Sequence, residues 1–427
     1  MASSEPAATS SLTARFGAIV KPRADRSHDR KGVGSSKSTE SPGHGNNEPA
    51  AASEPVAAAD LIAGSEFQAR RRTVSVGLDG RKLDALLVAF SPNLRYLSGF
   101  TGSNGNLLLT PQRSILFTDP RYRIQAALET TCEIRIAKGP LAVALGTAIA
   151  RLGLKRIGYE PARMTCDLFE SLKAKLPMRA SLEPSLGENG AAGWIEELRM
   201  VKSAAEIDLI RRSVETNSRA FEQVVARVKP GMKESDLAAE LEYRMRRLGA
   251  GKPAFETIVA SGVRSAWPHA QPSAARLQTG GLVVVDMGAM QEGYASDMTR
   301  MLYLGMPGTK VKRTYRAVLE AQLAAIDAVR AGASTARVDG AARKVLQGYG
   351  LDRAFIHSTG HGLGLEIHEP PRIGKRDKTR LQAGMAITIE PGVYLEGFGG
   401  VRIEDTVVVT EKGCEILTPT SKDLRLI

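Results

Sequence analysis

The sequence is poor in cysteine, with Cys132, Cys166 and Cys414 as its three thiols in 427 residues. They lie far apart and form no Cys-x-x-Cys pair. A disulfide framework or a thiolate zinc site is therefore not expected. A chain without disulfides suits the reducing cytoplasm, and we expect a cytoplasmic protein.

Aromatic residues and long apolar runs are also scarce. Aromatics make up 5% of the chain, and no apolar run approaches the roughly 18 residues that a membrane span requires. The net charge of +12 could attract nucleic acid, but no basic run is interleaved with aromatics, and no zinc-finger or helix-turn-helix pattern occurs. We therefore interpret the charge as a solvated basic surface and expect neither a nucleic-acid nor a membrane partner.

The chain is long for one domain, and its composition changes along its length. Residues 1–66 are rich in Ala, Ser, Pro and Gly, which predicts a disordered tail. Residues 67–195 contain short apolar runs at 85–90, 106–110 and 114–118, bounded by turn residues. These runs predict buried strands of a small α/β domain.

A second domain is predicted over residues 198–427. It opens with a capping box, Ser203 to Glu206, ahead of a one-sided apolar stripe that is typical of a helix. A second helix should end at Gly249, and two more helices fit 310–330 and 336–349. Two helix pairs, each followed by strand-like segments, suggest a diverged internal duplication.

Two aspartates stand where a buried hairpin would bring them together. Asp286 ends the apolar run Gly281-Leu-Val-Val-Val-Asp286, and Asp297 opens the next strand after a turn. A carboxylate at the end of a buried strand is costly unless its charge is compensated. An ordinary ion pair or turn cap would also explain either one.

Two glutamates and the histidines extend this pattern. Glu390 and Glu404 stand beside β-branched runs, where glutamate is disfavoured, and His361 lies among three glycines with His368 close behind. Each histidine alone could be an ordinary core or surface residue. Four carboxylates in one core would repel one another unless cations lay between them, and oxygen ligands with one imidazole suit Mn²⁺, Co²⁺, Zn²⁺ or Fe²⁺.

These segments resemble the pita-bread metallopeptidases, in the proline-directed branch of aminopeptidase P and prolidase. Residues 67–195 resemble the creatinase-type N-terminal domain, with one departure at Pro120, where glycine is expected. The resemblance implies an α+β fold, in which a C-terminal pita-bread domain follows a smaller α/β domain. The matching stretches are Tyr96-Leu-Ser-Gly-Phe-Thr-Gly-Ser103, Phe117-Thr-Asp-Pro-Arg-Tyr122, Phe255-Glu-Thr-Ile-Val-Ala-Ser-Gly262 through Pro268-His269, Val285-Asp-Met-Gly288 through Asp297, Gly360-His-Gly-Leu-Gly364 through His368, Ile389-Glu-Pro-Gly392 and Arg402-Ile-Glu-Asp405.

The resemblance also assigns roles to individual residues. It implies two divalent metal ions, with manganese as our first choice and cobalt, zinc or iron as alternatives. The implied metal ligands are Asp286, Asp297, His361, Glu390 and Glu404. Glu390 would also transfer protons, His269 and His368 would hold the scissile amide or the oxyanion, and Arg402 would orient the carboxylates from outside the ligand shell.

We expect from the resemblance an Xaa-Pro aminopeptidase that acts on short peptides with proline in second position and forms a homodimer. An Xaa-Pro dipeptidase is the alternative, and it needs a cation for the dipeptide's carboxylate. Arg372, Lys375, Arg376 or Arg380 could supply one, although that stretch also fits a solvated charged loop. A methionine aminopeptidase would lack the domain at 67–195, a creatinase would lack this ligand set, and an inactive binding module would have lost ligands.

Overall fold

The computed structural model describes residues 62–187 and 193–427. Most of the predicted disordered tail, residues 1–61, lies outside the described residues. Residues 64–66 of that predicted tail belong to the first helix, α1 (Gly64–Gly80). Two of its arginines are buried because they donate to backbone carbonyls, Arg70 to Tyr96 and Arg71 to Leu97.

The N-terminal region is an α/β unit built on one six-stranded sheet with the order β4-β3-β2-β1-β5-β6. The strand β1 is buried along its whole length and pairs antiparallel with β2 and parallel with β5. Thr165 caps α5, because its hydroxyl accepts from the Leu168 amide. The elements after α1 are β1 (Ala85–Val88), α2 (Ser91–Ser98), β2 (Gly105–Leu109), β3 (Ser114–Thr118), α3 (Arg123–Glu129), β4 (Glu133–Ile136), α4 (Leu141–Leu152), β5 (Arg156–Tyr159), α5 (Cys166–Lys173) and β6 (Ser181–Pro184).

A short helix, α6 (Trp194–Met200), connects this region to the rest of the chain, so the predicted boundary at 195–198 falls inside a helix. The C-terminal region then alternates helix pairs with β-structure. Its elements are α7 (Ala204–Val225), α8 (Glu234–Arg247), β7 (Lys252–Pro253), β8 (Ile258–Ser261), β9 (Leu282–Met287), β10 (Ala289–Gln291), β11 (Tyr294–Ala295), β12 (Met298–Tyr303), α9 (Thr309–Ala328), α10 (Thr335–Gly348), β13 (Gly360–Gly362), β14 (Glu369–Ile373), β15 (Ala386–Ile389), β16 (Gly392–Leu395), β17 (Gly399–Arg402), β18 (Asp405–Val409), β19 (Cys414–Ile416) and β20 (Arg425–Leu426).

Both helix pairs of this region form as predicted, with small shifts of their ends. The capping box at Ser203 and Glu206 is complete, with hydrogen bonds in both directions. The first helix ends at Val225, because Ala226 and Arg227 already close the last turn onto earlier carbonyls. The second ends at Arg247, two residues before Gly249.

The strands of this region place the predicted carboxylates side by side. β9 pairs antiparallel with β12, so that Asp286 lies opposite Thr299, as a hairpin requires. β15 pairs antiparallel with β18, so that Ile389 lies opposite Asp405. Glu390 and Glu404 each adjoin one member of that last pair, which brings them next to each other.

Equivalent backbone hydrogen bonds recur in the two halves of the C-terminal region. The amides of Gly231 and Gly332 donate to the carbonyls of Leu277 and Leu381, each just before the second helix of a pair. This repetition agrees with the internal duplication inferred from the sequence. Within the described residues, no helix combines the length and the apolar character that crossing a membrane requires.

Candidate active site

A cavity of about 800 Å³ opens in the C-terminal region, and all eight site residues predicted from the sequence line it. The lining residues predicted from sequence are Asp286, Asp297, His361, Glu390, Glu404, His269, His368 and Arg402. The structure therefore brings together residues that are up to 135 positions apart in the chain.

Five side chains form the centre of this cavity, and different elements carry them. Asp286 lies in β9, Asp297 directly precedes β12, and His361 is the middle residue of β13. Glu390 and Glu404 stand at the ends of paired strands. Single atoms of Asp297, His361 and Glu404 lie within 4.8 Å of one another, a spacing that one metal ion can span.

The His361 ring is oriented for ligation. Its Nδ1 lies 3.0 Å from the Gly362 carbonyl oxygen, and an imidazole in this position donates a proton to that oxygen. The Nε2 lone pair then faces carboxylate oxygens of Asp297 at 3.6 Å and Glu390 at 3.4 Å. Burial lowers the pKa of His361, which keeps the ring neutral and its lone pair available.

The carboxylates of the centre raise one another's pKa. Burial first, and then the neighbouring Glu404, raise the pKa of Asp297 well above its ordinary range. Burial and Glu390 do the same to Glu404, and burial raises the pKa of Glu390 to about 7. Burial and mutual repulsion therefore disfavour ionisation of the cluster by itself. Cations between the carboxylates would stabilise their ionised forms.

Two oxygen atoms of the cluster have no hydrogen-bond partner among the described residues. Asp286 Oδ1 and Glu404 Oε1 are buried and unpaired, although buried oxygens are almost always satisfied in proteins. Unpaired oxygens, a lone pair of a neutral imidazole and the absence of a thiolate together fit hard divalent cations. The five side chains are therefore suited to holding such ions.

Arg402 is the buried cation beside this cluster. Its Nη2 donates to Asp286 Oδ2 at 2.5 Å, and its Nε donates to the Thr299 hydroxyl at 3.1 Å. That hydroxyl in turn donates to Glu404 Oε2 at 2.7 Å. Burial opposes the charge, but the surrounding carboxylates and Tyr394 hold the pKa of Arg402 well above its ordinary value.

His269 and His368 lie at the rim of the cavity and are exposed. The ring of His368 packs edge-on against His361, with centroids 4.5 Å apart. Burial and the neighbouring His361 lower the pKa of His368. Both rim histidines are placed where they can reach a molecule bound in the cavity.

Two further residues of the site were not singled out from the sequence: His357, which lines the cavity, and Tyr394, which contacts both His357 and Arg402. His357 Nε2 lies 2.9 Å from the Tyr394 hydroxyl, and that hydroxyl accepts from Arg402 Nη1 at 2.7 Å. Burial, and then the facing Arg402, lower the pKa of His357 to about 4. The clustering of four histidines between 269 and 368 was the available signal for His357. No sequence signal pointed to Tyr394, because its contact with Arg402 depends on the pairing of β16 with β17.

Comparison with known proteins identifies two family regions. Residues 208–411 match metallopeptidase family M24, and residues 70–201 match the creatinase/prolidase N-terminal domain. An Xaa-Pro dipeptidase of Pyrococcus horikoshii is 38% identical over 348 residues, which cover 81% of this chain and 96% of the relative. An uncharacterized peptidase of Bacillus subtilis is 36% identical over 346 residues, with the same coverage of both chains.

Solved structures agree with these matches. An Xaa-Pro dipeptidase from Bacillus anthracis superimposes with a TM-score of 0.81 at 36% identity, covering 86% of this chain and all of the other. An X-Pro aminopeptidase from Thermotoga maritima superimposes with a TM-score of 0.76 at 38% identity, covering 81% and 98%. The two-domain pita-bread fold and the hydrolase class predicted from the sequence are confirmed, and this chain belongs to metallopeptidase family M24, in the branch of the prolidases and aminopeptidases P.

Proposed function

We propose that this protein is an Xaa-Pro dipeptidase, which hydrolyses the bond between the first residue and a C-terminal proline. The comparisons favour this alternative over the aminopeptidase that we expected from the sequence, because relatives from Pyrococcus horikoshii and Pyrococcus furiosus are named Xaa-Pro dipeptidases. The observation that carries the proposal is an unpaired arginine, Arg372, on the wall of the cavity.

Arg372 is suited to binding the dipeptide's carboxylate. It lies opposite His361 in the pairing of β13 with β14, one strand away from the proposed metal ligands. Its side chain is exposed and forms no ion pair with any described residue. A guanidinium free to make two parallel hydrogen bonds is the usual partner of a carboxylate.

The other three candidate cations are less well placed. Lys375 and Arg376 line a neighbouring cavity rather than the central one. Arg380 donates to the Gly332 carbonyl at 2.9 Å on the surface. Arg372 is thus the best candidate of the four for binding the C-terminal carboxylate of a dipeptide.

The metal ions are part of the proposal. Asp286, Asp297, His361, Glu390 and Glu404 would hold two divalent cations, for which manganese is our first choice. When bound there, such cations lower the pKa of water and polarise the scissile carbonyl. The homodimer and the cytoplasmic location remain predictions.

The chain's own residues would supply the remaining chemistry. Glu390, a carboxylate on the wall of the cavity, is suited to accepting a proton and returning it to the leaving proline nitrogen. His269 and His368 would donate hydrogen bonds to the oxygen that becomes negative. None of these groups needs the N–H that proline lacks, so a tertiary amide can be cleaved.

An Xaa-Pro aminopeptidase is the second candidate, supported by the superposition on the Thermotoga maritima enzyme. The two activities differ in whether residues can follow the proline. Rates for Ala-Pro, Ala-Pro-Ala and Ala-Ala-Ala, measured with added Mn²⁺, distinguish them. We expect fastest cleavage of Ala-Pro.

The variant Arg372→Gln sharpens this test. It should lower kcat/KM for Ala-Pro by about 10- to 100-fold, mainly by raising KM. A loss of this size corresponds to the free energy of one charge-assisted hydrogen bond. Arg380→Gln is the matched control, because it removes a cation from the same stretch without touching the cavity. Faster cleavage of Ala-Pro-Ala than of Ala-Pro would favour the aminopeptidase, and absence of hydrolysis in metal-loaded protein would favour an inactive binding module.

A further inference from the structure

Glu234, the first residue of α8, is a buried carboxylate with an unusually complete set of donors. Its Oε1 accepts from the Ser261 amide at 2.7 Å and the Ser261 hydroxyl at 2.8 Å. Its Oε2 accepts from the Ser273 amide at 3.1 Å, the Ser273 hydroxyl at 2.7 Å and Arg264 Nε at 3.1 Å. The side chain has no exposed surface, so water contributes little to its stabilisation.

These donors come from the two ends of one loop. Ser261 ends β8, and Ser273 lies twelve residues later. The carboxylate of Glu234 accepts from both, so it holds the two ends of the segment 261–273 together. His269 projects from this segment to the rim of the cavity. We call the segment the His269 loop.

Inside the His269 loop, Arg264, which also donates to Glu234, donates from Nη2 to the Gln271 carbonyl at 2.6 Å. Ser265 accepts from the Gly400 amide, and the Pro268 carbonyl accepts from Arg402 at 3.3 Å. Trp267 and His269 themselves are exposed. The position of the histidine therefore depends on how firmly the two ends of the loop are held.

The charge of Glu234 is retained despite its burial. Burial raises the pKa of this carboxyl, but the hydrogen bonds from Ser273 and Ser261, together with Arg264, outweigh it and lower the pKa below its ordinary value. An ionised carboxylate can accept from all five donors, whereas an amide can serve only one side of the set.

We infer that Glu234 is a positioning residue for catalysis, which holds the His269 loop closed at its base and so fixes His269 against the bound substrate. This inference rests on the proposed function, since it assumes that His269 acts on the scissile amide. A misplacement of about 1 Å of a group that contacts the reacting atoms can cost about 100-fold in rate.

The test is Glu234→Gln in the full-length, metal-loaded enzyme. The variant keeps the shape of the side chain but turns an N–H₂ group toward one set of donors. We expect kcat for Ala-Pro to fall about 10- to 100-fold, with KM nearly unchanged and the metal content unchanged. We also expect faster amide hydrogen exchange across residues 261–273, a measurement that does not depend on activity.

A double-mutant cycle separates positioning from general damage. If Glu234 acts through His269, then Glu234→Gln should have no further effect on kcat in a His269→Ala background. Glu206→Gln is the matched control, because Glu206 is another buried carboxylate near a helix N-terminus, bound by Ser203 and Arg70 away from the cavity. It should lower the melting temperature and leave kcat unchanged.

The outcomes that overturn the inference are specific. The inference is wrong if the effects of Glu234→Gln and His269→Ala on kcat multiply in the double variant. It is also wrong if Glu234→Gln leaves amide hydrogen exchange in the His269 loop unchanged. Should Glu234→Gln fail to fold, Glu234→Asp keeps the charge, and the same pair of readouts applies to it. A wild-type enzyme unable to cleave Xaa-Pro would refute the proposed function, while the exchange data would still decide whether Glu234 holds the loop.

Discussion

The two halves of the C-terminal region repeat one backbone plan with different side chains. In both halves the first residue of the second helix donates from its amide to a later carbonyl, Glu234 to that of Ala275 and Thr335 to that of Thr379. At this position the first half has a buried carboxylate, and the second has a hydroxyl that donates to Asp377. The backbone interaction is kept while the side-chain interaction is replaced.

The same asymmetry extends to the candidate metal site. The first half supplies Asp286 and Asp297 from a single hairpin, and the second supplies His361, Glu390 and Glu404 from three separate segments. Neither half has enough ligands for two ions. The comparison indicates that the repeated backbone provides the scaffold, whereas the chemistry exists only where the halves meet.

The largest expected effect comes from removing His361, the imidazole among the three proposed ligands of the second half. His361→Ala should lower the metal content and abolish turnover, because the ring lone pair faces Asp297 and Glu390. His269→Ala and His368→Ala should keep both metal ions and lower kcat by about 100- to 1,000-fold, the cost of removing one oxyanion donor. Metal analysis of the purified variants, with peptide hydrolysis, checks both expectations.

Chelation provides the control for the histidine variants. Dialysis against a chelator should abolish wild-type activity, and Mn²⁺ or Co²⁺ should restore it. Full activity in protein shown to be metal-free would contradict the proposed ligands. Metal loss in the His269 or His368 variant would show that these residues are ligands too.

A smaller effect tests the tight packing that both halves share. A Cβ at Gly360 would overlap the Thr388 carbonyl oxygen, and one at Gly288 would overlap the Ser296 carbonyl oxygen. Gly360→Ala should therefore lower the free energy of unfolding by about 3 kcal/mol, measured as the shift of the urea midpoint. Gly340→Ala is the matched control, since it lies on the exposed face of α10 with open space around it.

The control should change stability in the opposite direction. Alanine in an exposed helix is favoured over glycine by about 0.5–1 kcal/mol, so the urea midpoint of Gly340→Ala should rise slightly. Equal destabilisation by the two substitutions would mean that the close backbone approach at Gly360 is not what makes glycine necessary there.

The smallest expected effect lies in the N-terminal region, outside the duplicated halves. Glu160 accepts from the amides of Ala89 and Phe90 and from Asn93, and burial raises its pKa from 4.5 to about 7. A carboxyl with a raised folded-state pKa binds more protons when folded, so stability falls as pH rises from 4.5 to about 7.

Glu160→Gln cannot ionise and should show a flatter fall of melting temperature with pH over that interval. The comparison of slopes, rather than of absolute melting temperatures, is the measurement, because the amide also changes the hydrogen bond with Asn93. Equal slopes in wild type and variant would exclude Glu160 as the titrating group.

Local patterns predicted much of the fold and of the candidate site. The apolar runs at 85–90, 106–110 and 114–118 contain β1, β2 and β3, and the capping box at Ser203 starts α7 where expected. The carboxylates could be found because glutamate or aspartate in a buried strand is anomalous in the sequence itself. The roles of these residues came from the family resemblance and stay predictions.

Features that depend on distant partners could not be predicted. Residues 64–66 of α1 were assigned to the tail on composition, because the contacts that hold this helix, such as those of Arg70 and Arg71 with carbonyls 26 positions away, are not visible in the sequence. The donors of Glu234 come from a loop up to 39 positions later. Such contacts are determined by tertiary packing, which periodicity and composition do not encode.

The division of ligands between the halves has a consequence for how this cysteine-poor chain resists unfolding. Ions bound by Asp286 and Asp297 on one side and by His361, Glu390 and Glu404 on the other would act as a reversible cross-link between segments 64 to 118 residues apart. Such a cross-link strengthens with the free ion concentration, since a ligand that binds only the folded state stabilises it by mass action. The stripped protein should then unfold at a lower temperature than the loaded protein, and the difference should grow with the free ion concentration.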